Sequence, residues 1–395
     1  MMNKEQDPND KSIFNKKTLI RLVTVIALIA LAVAAFTYAI GKLVTAESGY
    51  REVECTANAT NCSSEFIFTY NLGVSGMSPT AELKAVTNLY NERAMFYYRV
   101  FHPTQEFDGM KNVASLNTRP NETLTVPAEL YASLEKAAAD GERNIYLAPF
   151  FAYYETLFAS SYDEDAATWD PARNAELKAE YEKTLSFVSD PSHAELTFGG
   201  ENKVTLKVSD AYLAYAKEVG ITTFIDFFWM KNAFIADLFA SDLIAGGYVY
   251  GSIASRDGYV RNLDESSAEY AFDFFDLRDN AITHSGKLVY KGKAALCSFH
   301  SFILDDVDKL YTYYYSNGDV VTRYVSPENA LTDGQGSAML VYSRDMGCAD
   351  LLFAGLECYR SGSLTKFEAN NAGAVFSSGG KTEKKSFDGF SFTEG

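Results

Sequence analysis

The stretch from Phe224 to Leu263 constrains this chain most. A strand-like apolar entry ends at Asp226, a helical pattern runs from Trp229 to Ile244, and Gly246-Gly247 stops it. Tyr248 to Ile253 then returns as a strand into the Arg256-Asp257-Gly258 turn. A strand, a helix and a returning strand each bury one face and leave a loop edge open, and such edges hold ligands.

The chain around this unit has 395 residues, 47% of them hydrophobic and 14% aromatic, enough to bury the core of one large domain or two modest ones. Before the unit, Ser64 to Val74 reads as a strand, Ala81 to Val100 as a core-facing helix with Thr80 as its cap, and Phe107 to Asn117 as a polar loop. Helices follow at Pro127 to Asp140, Pro149 to Phe158 and Ala172 to Val188, then a hairpin at Ala194 to Val208 around Gly199-Gly200 and a short helix at Ser209 to Gly220. After the unit, strands are expected at Tyr270 to Leu277, Lys287 to Lys291, Ala295 to Leu304, Tyr311 to Tyr315 and Val320 to Val325. Two helices, Asp333 to Ser343 and Cys348 to Arg360, precede a final strand pair, and the Gly, Ser and Lys-rich tail beyond Ser377 reads as frayed. Strands and helices without regular alternation argue for an α+β fold with mixed or antiparallel sheets and packed helices.

The N-terminus speaks to location. Leu22 to Ile40 is an uncharged apolar run that would span ~28 Å as a helix, the thickness of a bilayer core. Lys11, Lys16, Lys17 and Arg21 precede it, whereas Lys42 and Arg51 are accompanied by Glu47, Glu52 and Glu54. The bias places residues 1–21 in the cytoplasm, 22–40 in the cell membrane as a single-pass anchor, 41–63 as a stalk and 64–377 outside as the folded domain. A cleaved signal peptide ending near Val44-Thr45-Ala46 is the alternative. Outside the membrane Cys55 and Cys62 either close a small disulfide loop or stay as thiols, and Asn58, Asn61 and Asn121 head sequons.

The formal charge of −17, from 52 acidic and 35 basic residues, sets the chain against nucleic acid, whose phosphates it repels. No dinucleotide fingerprint follows a strand and no GxSxG elbow occurs. The five cysteines show no zinc spacing, and the acidic Asp163 to Asp170 stretch reads as a solvated turn.

A set of motifs in order carries a resemblance. Phe107-Asp108-Gly109-Met110-Lys111-Asn112-Val113-Ala114-Ser115-Leu116-Asn117 is followed by a Val-Pro-Ala-Glu-Leu helix start, the opening stretch, Thr283-His284-Ser285-Gly286, Phe302-Ile303-Leu304-Asp305 and Asp333-Gly334-Gln335-Gly336-Ser337-Ala338. From about Phe66 to Leu364 the chain resembles the FAD:protein FMN transferases. The resemblance implies an α+β domain that binds FAD, uses Mg²⁺ to neutralise the pyrophosphate, and transfers FMN to a Ser or Thr of an exported flavoprotein acceptor. For the metal it implies Asp333, Ser337 in place of the family's Thr, and a backbone carbonyl near Trp229. For the flavin nucleotide it implies Asp226, Lys231 or Asn232, Asp237, Arg256, Ser285 and Gly286.

Other positions depart from the family pattern. The glycine-rich, Lys-Gly segment becomes Phe227-Phe228-Trp229-Met230-Lys231-Asn232-Ala233, and the Gly-Gly turn becomes Arg256-Asp257 or Asp257-Gly258. The family's histidine is replaced by Phe302, which leaves His300, two residues earlier on the same strand face, and His284 as the substitutes. The residues thus leave three readings open: a Mg²⁺-dependent FMN transferase with a shifted site, an inactive paralogue serving as a flavin-binding or protein-interaction module, or an extracellular structural module whose aromatic interior has closed the old pocket.

Overall fold

The computed structural model describes residues 46–57, 65–139, 143–279, 281–332 and 337–395. Leu22–Ile40, Asn58, Asn61, Cys62 and Asp333 lie outside the described residues, and with them the anchor, two sequons, the Cys55–Cys62 pairing and one expected metal ligand. Among the described residues no helix is long and apolar enough to cross a membrane.

The first part of the domain comprises β1 (Gly49–Glu52), β2 (Phe66–Leu72), α1 (Pro79–Val100), α2 (Val113–Thr118), β3 (Thr123–Thr125), α3 (Ala128–Ala139) and α4 (Ala148–Phe158). Next come α5 (Asp163–Thr168), α6 (Ala175–Val188), the hairpin of β4 (Ala194–Gly199) and β5 (Lys203–Val208), α7 (Asp210–Val219) and α8 (Lys231–Ala245). The remainder is β6 (Gly251–Ser255), β7 (Tyr259–Asn262), β8 (Glu269–Arg278), β9 (Ala281–Lys291), β10 (Ala294–His300), β11 (Thr312–Tyr314) and β12 (Val320–Thr322). It ends in β13 (Ala338–Ser343), α9 (Cys348–Ser361), β14 (Gly373–Ser378), β15 (Lys381–Lys385) and β16 (Phe390–Glu394).

Among the described residues one eight-stranded sheet, ordered β1-β2-β6-β7-β10-β13-β14-β15, forms the backbone of an α+β fold. Its pairings are antiparallel throughout. One face carries the large core, where Phe66, Tyr90 and Tyr97 meet Phe239 of α8 and where Phe299 stacks on Tyr359 of α9. The other face packs Leu296, Leu340 and Val375 against Phe274 and Leu288 of a separate β16-β9-β8 sheet.

Local chemistry explains the elements that frame the site. Ser78, not Thr80, caps α1, because Pro79 occupies the first helical position and the Ser78 side chain accepts from the Ala81 N–H. Val86, Tyr90, Ala94 and Tyr97 then recur at helical spacing on its buried face. In the FDGMKN motif, Asn112 and Ser115 cap α2 reciprocally. Asn117 clamps the opening stretch: its Oδ1 accepts from Phe224 N at 3.0 Å and Ile225 N at 3.1 Å, and its Nδ2 donates to Ile225 O at 3.0 Å. Phe224 to Asp226 is therefore not a strand but an irregular segment held by a side chain, with Asp226 N donating to Ile145 O at 2.9 Å.

The last third departs from expectation twice. Ala338–Ser343 is a strand, not part of a helix from Asp333 to Ser343: buried at every position between β10 and β14, it is apolar on both faces, and periodicity cannot separate such a strand from a buried helix. The tail beyond Ser377 is not frayed, since β15 pairs with β14 and β16 with β9, and Phe390 and Phe392 pack onto the second core. The Asn121 amide, head of a sequon, is bonded on both sides to Val208 at 2.8 and 2.9 Å.

Asp276 on β8 ties the second sheet to the first. Wholly buried, it receives Ser337 Oγ, Ser377 Oγ at 2.5 Å and the Leu277 N–H at 2.8 Å. A buried carboxylate that loses a donor keeps its desolvation cost. Ser377→Ala is therefore expected to lower the unfolding free energy by about 1–3 kcal/mol, read as a shifted urea midpoint at constant slope.

Candidate functional site: an aromatic cavity backed by a buried ion chain

A cavity of about 330 Å³ opens where the end of α1, the start of β2, α4 and the start of α8 converge. Its walls are aromatic, with Tyr98, Phe101, Phe151, Phe228 and Tyr311, and its polar groups are Glu65, His102, Glu155, Asp226 and Lys231. Three carboxylates thus share the lining with one lysine.

Asp226 and Phe228 form the cavity's most constrained corner. Phe228 has φ +40°, a left-handed conformation that bulky residues avoid. Asp226 holds it there by accepting the Phe228 N–H at 3.0 Å, and the Phe228 ring stacks on Phe151 with centroids 4.7 Å apart. In the segment where the resemblance implies glycines, Phe228 keeps a glycine-like backbone and adds a ring to the cavity wall. Burial pushes the Asp226 carboxyl up to about 7, against the opposing pull of the Phe228 N–H and Lys231. Burial and the nearby Lys231 push the His102 imidazole down, and His102 Nδ1 accepts from Gln105 N at 3.1 Å. Desolvation raises the Glu155 carboxyl as well.

Behind this wall runs a chain of buried charges. Asn232 Nδ2 donates to Glu65 Oε2 at 2.9 Å and to Asp257 Oδ2 at 3.0 Å. Arg323 Nη1 lies 3.9 Å from Asp257 Oδ2 and its Nη2 lies 3.6 Å from Asp308 Oδ1, which His300 Nε2 meets at 2.8 Å. Burial pushes the Asp257 carboxyl up to about 6 despite Arg323. Burial works against the Asp308 charge too, but His300 and Arg323 outweigh it and hold that carboxyl below its ordinary value. Asn232 Oδ1 and Asp257 Oδ1 are buried and accept no hydrogen bond among the described residues.

Sequence comparison is silent: no family model and no curated protein matches the chain. Solved structures do match. The crystal structure of the ApbE protein from Thermotoga maritima superposes with a TM-score of 0.57 at 13% identity, covering 85% of this chain and 96% of that one. The flavin transferase ApbE from Vibrio cholerae gives 0.55 at 12% identity, covering 88% and 97%. The chain has the ApbE flavin transferase fold. At this identity it is the architecture that is shared.

Within the ApbE-like fold the expected site residues scatter. Asp226 and Lys231 line the cavity, and Asn232 sits directly behind it. Asp237 instead caps α9, accepting from Cys348 N at 2.8 Å and Ala349 N at 3.0 Å, and pairs with Arg261 at 2.6 Å. Arg256 is a surface side chain 3.8 Å from Asp305. His284, Ser285 and Gly286 lie on β9 in the second sheet, where His284 meets Asp273 at 3.1 Å and Gly286 packs under Phe392 and Thr393. His300 is buried in its pair with Asp308 and does not line the cavity. Phe302, at the lost histidine's place, is buried in the second core.

Of the magnesium set, Asp333 lies outside the described residues, and Trp229 and Ser337 are described. Trp229 is buried with its ring against Tyr324, its carbonyl facing Tyr259 OH at 3.5 Å, and the Ser337 hydroxyl bonds Asp276 and, at 3.0 Å, Ser377 O. Among the described residues no group of three or more His, Cys, Asp or Glu is arranged to hold a metal. Glu65, His102, Glu155 and Tyr311 were missed in the sequence because each comes from a different element and none belongs to a motif.

The Asp226 shift has a measurable consequence. Its folded value of about 7 exceeds the ordinary 3.8, so between those values the folded chain holds a proton that the unfolded chain has lost. Stability accordingly falls as pH rises from about 4 to 7. Asp226→Asn is expected to flatten that fall and to be more stable than the parent at pH 8, in urea titrations at stepped pH; an unaltered slope would contradict the assignment.

Proposed function

We propose that this protein keeps the flavin-binding role of its fold and has given up the transfer of FMN from FAD to a Ser or Thr of an exported flavoprotein. The observation that carries the reading is the separation of two features. An open, aromatic-walled cavity remains at Asp226, Phe228 and Lys231, while His300 is locked to Asp308 and His284 stands on the outer sheet.

A planar isoalloxazine suits walls built from Phe228, Phe151 and Tyr311, since offset or edge contacts with aromatic rings add to simple burial. Lys231 is the basic side chain in the cavity lining that would meet a nucleotide phosphate, and it shares that lining with Glu65, Glu155 and Asp226. The ring therefore supplies most of the affinity, and a phosphate gains as Asp226 takes up its proton. We assign the domain to the outer side of the cell membrane, tethered by Leu22–Ile40.

The test is a titration of the full chain in detergent with riboflavin, FMN and FAD, followed by flavin fluorescence. All three should bind. Lys231→Ala should weaken FAD by about tenfold, the worth of one good charge contact, and leave riboflavin nearly unchanged. Incubation with FAD, Mg²⁺ and an exported acceptor domain should yield no covalent FMN. Covalent FMN on the acceptor would restore the transferase reading, and absence of flavin binding would remove the flavin reading altogether.

A further inference from the structure

The described chain begins at one particular end of the domain. Ala46 N donates to Thr80 Oγ1 at 2.9 Å in the first turn of α1, and Gly49 pairs with Leu72 at the end of β2. Ala46 lies six positions after Ile40, the end of the apolar run, a reach of at most roughly 20 Å. If Leu22–Ile40 is the anchor assigned above, on which this inference rests, the start of α1 lies within that distance of the lipid.

This end has an unusual surface. In a chain of net charge −17, no charged side chain occurs between Tyr70 and Glu82. Glu82 itself is buried, its carboxylate taken by Tyr70 OH at 3.0 Å and Gly73 N at 2.6 Å. Residues 73–78 are exposed, and Val74 and Met77 stand 46% and 42% accessible. Gly73 and Gly76, with φ of +84° and +88°, turn the chain so that it projects between β2 and α1.

The cavity lies at the other end of the same elements. Glu65 precedes β2, Tyr98, Phe101 and His102 end α1, and Lys231 begins α8. The 22 residues of α1 set the two ends about 33 Å apart.

We propose that the 73–78 turn, through Val74 and Met77, rests on the outer leaflet of the membrane that holds the anchor, so that the cavity opens on the far side. An uncharged projection lets an acidic domain approach a lipid surface that would repel the rest of it. Two apolar side chains bind weakly alone, but the tether supplies the local concentration that makes weak insertion sufficient. The cavity then takes its ligand from the aqueous phase or from a partner domain reaching about 30 Å above the bilayer, not from the lipid.

The test uses the full chain reconstituted into phosphatidylethanolamine and phosphatidylglycerol vesicles with brominated acyl chains, which quench tryptophan on contact. Met77→Trp should lose at least about half of its added emission. Leu310→Trp, exposed beside the cavity residue Tyr311, should behave as the background from Trp169 and Trp229. Adding Val74→Ser to Met77→Trp should reduce the quenching. Equal quenching at both positions, or quenching at Leu310→Trp alone, overturns the orientation. Failure of the chain to float with the vesicles overturns the anchor and the orientation with it, and leaves flavin binding in detergent as a separate result.

Discussion

Arg323 is the constraint on which the site depends. It is 3% exposed, and a guanidinium that cannot shed its charge must be met by carboxylates where water does not reach. Asp257 and Asp308 meet it from two sides, the Asp257 carbonyl accepts from Nη2 at 3.3 Å, and the rings of Tyr311 and Tyr324 lie 5.1 and 5.5 Å from it. Such clusters add little net stability, because desolvation offsets attraction, but breaking one leaves a buried charge unmatched. Arg323 thereby joins the turn between β6 and β7, the end of β10 and β12 in a single arrangement.

Two consequences reach the cavity. Through Asp308, which also accepts from Leu304 N at 2.9 Å, the cluster shapes the loop that delivers Tyr311 to the aromatic wall. Through Asp257 and Asn232 it fixes Glu65 in the lining. Asn232, in the place where the resemblance implies a lysine, makes this possible, since a neutral amide can donate to two carboxylates at once. The altered segment is thus internally consistent: Phe228 holds a glycine-like conformation, Trp229 fills core against Tyr324, and Asn232 closes the ion chain.

Much of the fold was legible in the sequence where the pattern was periodic. The helices of α1, α6, α8 and α9 and the β4–β5 hairpin lie close to where spacing and turn residues put them. The misses have physical causes. Ala338–Ser343 is buried on both faces and so carries no alternation, and Phe224–Asp226 is held in place by Asn117, more than a hundred residues away. Of the candidate site, Asp226 and Lys231 reached the cavity because both lie in the one segment where strand-like entry and helix meet. His284, Ser285 and Gly286 did not, because β9 belongs to the second sheet.

By itself the sequence determined which periodic segments would be regular and that the domain would be α+β; these follow from local periodicity and from residues near in the chain. Tertiary structure alone decided what those residues face. His300 turned towards Asp308, Asp237 became a helix cap, Ser337 joined Asp276, and Glu65, His102, Glu155 and Tyr311 came together from four separate segments. The reason is that burial of charge is settled by partners distant in sequence, and only the packed chain brings those partners within reach of one another.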